Sequence, residues 1–229
     1  IVVLHGYDPD NRSYSAWNRQ VRDRLRRLAE EHRVIVLQPH GRGNTFYRGI
    51  GRDDVLRAID DVMRDYDVDP DRVCLLGYSM GGSGTWAVGT FYADRFAAIA
   101  PVFGGPPYRL PSEPADSPRI NRRFRPYRVS PFDCLENLVH TPVFINHGDV
   151  DQLVPVEYSR QATALLQRMG YDVRYWEHPG KGHGGLPIEE TLFDWFDDQE
   201  RPAAPERVRF RAGWLRHGAV HWVEIEQFE

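Results

Sequence analysis

At 229 residues the chain can bury one substantial core, most economically as a single α/β domain with a small appendage. Hydrophobic residues at 41% and charged residues at 27% give an ordinary globular balance, and no run approaches the roughly 18 uninterrupted apolar residues that a membrane span needs. A net charge of -4 supplies no basic field, which argues against nucleic acid as a partner.

Short apolar runs alternate with amphipathic stretches, the pattern of a mostly parallel sheet with helices on both faces. Ile1-Val2-Val3-Leu4 reads as the first strand, followed by a helix with Trp17, Val21, Leu25 and Leu28 at helical spacing. Because Ile1 already lies inside a strand-like run, a segment upstream of it is expected to have been trimmed. Val34-Ile35-Val36-Leu37 reads as a second strand ending at Gln38-Pro39, and Asp54 to Tyr66 as a helix with Val55, Ile59, Val62 and Met63 on one face. Next come a strand over Arg72 to Leu76, a helix from about Gly82, and strands over Phe96–Val102, Thr141–Asn146 and Val173–Trp176. Helices from about Val156 to Met169 and Ile188 to Asp197 complete the wrap. Cys74 falls in an apolar run and reads as a core residue, with no bridge to Cys134 expected.

Two segments break this pattern. Gly104 to Pro131 holds seven prolines and six arginines, which suits a long surface excursion. It reads either as a lid-like insertion whose arginines attract carboxylate-bearing ligands or as a solvated loop. Beyond the linker Arg201–Pro205, Arg207–Arg211 and Val220–Ile225 alternate with period two around Arg216-His217-Gly218. Residues 206–229 therefore read as a β-hairpin, or as the start of a further β module, beside an α/β domain over residues 1–200.

The chemistry centres on Gly77-Tyr78-Ser79-Met80-Gly81, set where a strand stops and a helix starts. A serine on such a turn is forced into a strained backbone with its hydroxyl held clear of the sheet, and the flanking glycines avoid Cβ clashes. Met80 then offers its N–H at a helix start, where developing negative charge is stabilised. A serine nucleophile needs a general base oriented by a carboxylate. On this scaffold acid and then histidine follow the serine in the chain, on loops at the carboxyl ends of later strands. The loop His147-Gly148-Asp149-Val150-Asp151 offers two carboxylates. Asp151, further past the strand end, is the candidate acid, and Asp149 is read as bracing the turn through its own backbone amides. His183, flanked by Gly182 and Gly184, is the candidate base on a flexible loop. His147 and His178 read as structural, and His32, His140, His217 and His221 as surface-helix, linker or hairpin residues. Tyr7, straight after the first strand, is the candidate second N–H donor beside Met80, and Tyr7 and Tyr78 are the candidate substrate-lining side chains. No metal site or cofactor motif emerges: His147, Asp149 and Asp151 lack a second histidine at ligand spacing, and no phosphate-cradling glycine loop is present.

As an ordered set these motifs resemble the α/β-hydrolases of the prolyl oligopeptidase catalytic-domain type, with the related carboxylesterases and polyhydroxyalkanoate-depolymerase-like or feruloyl-esterase-like enzymes. The matching stretches are Leu4-His5-Gly6, Asp69-Pro70-Asp71-Arg72-Val73 leading into Gly77–Gly82, Arg95-Phe96-Ala97-Ala98, His147–Asp151 with Val154-Pro155, and Gly182-His183. The resemblance implies an α/β-hydrolase fold with the elbow strand in mid-sheet, and it supports Asp151 as the acid. The expected activity is cleavage of a small-molecule carboxylic ester by a serine hydrolase, without a cofactor. A serine-type peptidase is the alternative, and an inactive binding protein on the same fold is the rival from another class.

Overall fold

In the computed structural model, which describes residues 1–9, 19–106 and 130–227, five parallel strands lie side by side in chain order. They are β1 (Val2–Leu4), β2 (Cys74–Tyr78), β3 (Ala98–Val102), β4 (Val143–Gly148) and β5 (Val173–His178). Parallel neighbours cannot be joined by tight turns, so each connection crosses a face of the sheet. The alternation of side chains along the strands decides what each face receives. Val2, Leu4, Leu75, Ile99, Val143 and Ile145 point to one side, against α2 (Ile50–Asp65), α3 (Met80–Phe91) and α4 (Glu157–Arg168). Val3, Cys74, Leu76, Ala98, Ala100 and Phe144 point to the other, against α1 (Arg19–Glu31) and α5 (Glu189–Asp197). Cys74 and Cys134 are both buried and free.

Most of the expected elements appear, with three differences. Val34–Leu37 forms no strand ladder but a single bridge, Val2 to Leu37. It follows β1 through three backbone bonds, Ile1 N to Ile35 O (2.7 Å), Leu37 N to Ile1 O (2.9 Å) and Val3 N to Leu37 O (2.8 Å), before Pro39 removes the next donor. The C-terminal hairpin is shifted: β6 (Ala219–Val220) pairs antiparallel with β7 (Val223–Glu224) across His221-Trp222. Arg207–Arg211 is no arm of it. That segment is drawn onto the helical turns Phe132–His140, where Glu136 receives Arg209 at 2.8 Å and Arg211 at 2.6 Å. Asn137 bonds the Arg211 backbone in both directions (2.7 and 3.0 Å) and donates to Thr90 O at 2.8 Å. Finally, His217 lies in the helical turn Leu215–His217 ahead of the hairpin and is buried, with its ring 4.9 Å from Phe91 and edge-on to Tyr92 and Trp214. Burial, with Arg52 and Arg216 nearby, drives its pKa down to about 3. Trp17 and residues 107–129, most of the expected insertion, lie outside the described residues. Among the described residues no helix is long and apolar enough to cross a membrane.

β2 turns into α3 within one residue, Ser79, at φ 55° and ψ -115°. Non-glycine residues rarely take a positive φ, and the surroundings must impose it. A Cβ at Gly77 would strike Gly81 O, and one at Gly81 would strike Leu4 O, both of them backbone atoms unable to yield. The elbow is pinned by Ser79 N to Val102 O (2.9 Å) and Ser83 N to Ser79 O (3.0 Å).

Two measurements test this account. Ser79→Gly and Ser79→Ala lose the same hydroxyl, but only glycine relieves the strained φ. The glycine variant should be the more stable of the two by about 1 kcal/mol in urea denaturation, and equal stability would show the elbow to be relaxed. Asn137→Ala should free the Arg207–Arg211 segment and speed tryptic cleavage there roughly 10-fold, equivalent to about 1.4 kcal/mol of lost docking. An unchanged digestion rate would show that the arginine–Glu136 pairs and the His140–Arg207 bond hold the segment without Asn137.

Candidate active site

Every expected site residue among the described ones sits at the carboxyl ends of the strands, where loops of a parallel sheet converge. Ser79 follows β2, Asp151 follows β4 and His183 follows β5. They meet in one line: His183 Nε2 lies 2.7 Å from Ser79 Oγ, and His183 Nδ1 lies 2.8 Å from Asp151 Oδ2. A carboxylate can only accept, so Nδ1 carries the hydrogen. Nε2 is then the acceptor facing the serine hydroxyl, a tautomer set by the network.

The Asp151 side chain is fully buried yet saturated with donors. Leu153 N (2.8 Å) and Val154 N (3.0 Å) reach Oδ1, while His183 Nδ1 and His147 Nε2 (3.1 Å) reach Oδ2. Burial pushes its pKa up, but the bonds from Val154, His183 and Leu153 outweigh that and hold it below the ordinary carboxylate value. The group is therefore an anion at neutral pH, aimed at the imidazole.

The glycine loop carrying His183 is stitched to the acid loop instead of hanging free. Asp149 Oδ1 accepts from Gly180 N at 2.7 Å, so Asp149 braces the neighbouring loop and not its own turn. Asp149 N donates to His178 O (3.2 Å) and Val150 N to Lys181 O (3.1 Å). A Cβ at Gly148 would run into Lys181 O, which keeps the two backbones in direct contact. His178 has its Nε2 3.1 Å from the buried Asn146 Oδ1 and its ring 4.3 Å from Trp176.

On the other side of Ser79, Gly6 is close enough that a Cβ there would touch Ser79 Cβ at 3.5 Å. Tyr7 comes next, its side chain 57% exposed and its ring 6.4 Å from Phe46. Met80 opens α3, and the first N–H groups of a helix have no acceptor within it. The Tyr78 ring lies 5.9 Å from Phe103, and its hydroxyl lies 3.3 Å from Glu189 Oε1. Two site residues escaped the sequence reading. Phe103, the first residue past β3 and itself at φ 35°, sets its ring edge-to-face 4.8 Å from His183. His147 reads from sequence as a structural residue, and its contact with Asp151 was legible only as a spacing of four. The arrangement can move a proton from a hydroxyl to an imidazole whose charge a buried carboxylate balances.

Comparison with known proteins agrees with this fold. The chain is 31% identical over 138 residues to acyl-protein thioesterase 1 of Gibberella zeae, a match that takes in 60% of this chain and 52% of the relative. It is 29% identical over 201 residues to the uncharacterized peptidase YuxL of Bacillus subtilis, spanning 74% of this chain and 30% of the relative. A crystal structure of a thermostable esterase superposes with a TM-score of 0.63 at 26% identity, covering 87% of this chain and 54% of the other. The chain thus spans about half or less of the length of the curated relatives it matches. A model of the alpha/beta hydrolase family matches residues 1–223, and the chain belongs to that family.

Proposed function

We propose that this chain is a serine hydrolase that cleaves carboxylic esters through an acyl-enzyme. The observation that carries the reading is the unbroken hydrogen-bonded line from Asp151 through His183 to Ser79. Ser79 Oγ attacks the carbonyl carbon while its proton passes to His183 Nε2, and Asp151 balances the imidazolium through Nδ1–H. The N–H groups of Met80 and Tyr7 receive the charge that develops on the carbonyl oxygen; losing one such donor typically costs on the order of 100- to 1000-fold in turnover. Collapse of the tetrahedral adduct releases the alcohol, which takes the proton from Nε2 and leaves the acyl group on Oγ. Water then attacks with His183 as base, and Ser79 is restored. The thioesterase and esterase likenesses support ester chemistry. The likeness to a peptidase supports amide cleavage by the same residues as a second reading.

A fluorophosphonate should label the protein covalently and stoichiometrically, and Ser79→Ala should abolish both the label and ester turnover. Asp151→Asn should lower kcat roughly 1,000- to 10,000-fold, because the imidazole loses the carboxylate that fixes its tautomer. Labelling that survives in Ser79→Ala would sink the reading. A panel of p-nitrophenyl esters, acyl thioesters and aminoacyl p-nitroanilides separates the two activities.

A further inference from the structure

Asp151 Oδ2 faces two imidazoles, and only His183 belongs to the reaction as written. His147, at the end of β4, is completely buried, with Nε2 3.1 Å from Asp151 Oδ2 and 3.0 Å from Val154 O. Both partners are pure acceptors, so Nε2 must carry the hydrogen. Nδ1 lies 2.7 Å from Ser159 Oγ on α4 and accepts the serine hydroxyl's proton in a hydrogen bond. Asp151 and Val154 thus fix the tautomer, Ser159 satisfies the remaining ring nitrogen, and the strand fixes the ring. Burial, against the pull of Val154 and Asp151, lowers the His147 pKa, which keeps the ring neutral at physiological pH.

We propose that His147 is a positioning residue of the triad: its Nε2–H holds Asp151 Oδ2 in line with His183 Nδ1 and weakens the basicity of that oxygen. The inference rests on the serine-hydrolase reading and deepens it. Two amides already anchor Oδ1, so without His147 the oxygen facing the catalytic imidazole would keep one donor where it now has two. The other titratable groups facing His147 are His183 and, in register on β5, Glu177, which Arg160 engages at 2.6 and 2.9 Å. Glu177 is held down to about 2 by Arg160, so it stays an anion throughout the pH range of an activity profile.

The test compares His147→Leu, His147→Gln and His147→Asn with wild type and Ser79→Ala, by pH profiles of p-nitrophenyl ester hydrolysis. Leucine fills the space without a donor. Glutamine can place an amide N–H near the Nε2 position, whereas asparagine reaches only the Nδ1 position. His147→Leu and His147→Asn should lose about 10- to 100-fold in kcat with KM within twofold. The acidic limb of kcat/KM should rise by about half a pH unit, because a carboxylate with one donor fewer holds the proton on its partner more strongly. His147→Gln should stay within about threefold of wild type with its limb unmoved. Equal losses in all three variants, or none in any, would overturn the proposal while leaving the serine-hydrolase reading intact. Where circular dichroism finds His147→Leu unfolded, the glutamine–asparagine contrast decides by itself. Turnover that persists in Ser79→Ala would instead overturn the parent reading, whatever the His147 variants do.

Discussion

The close seating of α3 on the strands beneath it is the constraint from which the site follows. Gly77, Gly81 and Gly82 meet backbone atoms of the facing chain where any side chain would collide. The helix start can therefore approach β1 and β3 to backbone contact, and the chain must reverse within a single residue. That residue is Ser79, and its positive φ is the cost of the approach. The same seating brings Gly6 beside Ser79 and sets the unpaired first N–H of α3 directly after the serine. In the proposed mechanism, nucleophile exposure and anion stabilisation are thus two results of one packing event.

The second organising element is a buried charge. An unpaired carboxylate in such a place would take up a proton, since desolvation penalises the ionised form. Asp151 avoids this by collecting two amides and two imidazoles, and the balance falls on the side of the anion. The donors come from its own loop, from β4 and from the loop after β5. The folded core, and not solvent, therefore sets the acid's charge.

Much of this was legible in the sequence, for identifiable reasons. Ser79, Asp151 and His183 are readable because strand–turn–helix order fixes where a parallel sheet delivers its loops, and glycines mark where backbones touch. The strands buried on both faces are readable as short apolar runs, as in Cys74–Leu76 and Val143–Ile145. Edge behaviour is not: Val34–Leu37 has the composition of a strand, but pairing depends on neighbours that composition does not describe. The period-two pattern of Arg207–Arg211 misleads because its arginines answer to Glu136, a partner more than 70 residues away. The partners of His147 are illegible for a related reason. A buried histidine looks structural until its ring nitrogens have partners, and those partners are set by tertiary geometry.

The stitching between the loops after β4 and β5 has a mechanical corollary. Asp149 to Gly180, Asp149 to His178 and Val150 to Lys181 tie the two loops into one body, while Ser79 stands on a separate one anchored in α3 and β3. Thermal excursions should then displace acid and imidazole together, preserving their mutual alignment. In the proposed mechanism the soft joint of the assembly would then be the gap between Nε2 and Oγ, whose breathing, and not loss of the carboxylate contact, would set how often the nucleophile is primed.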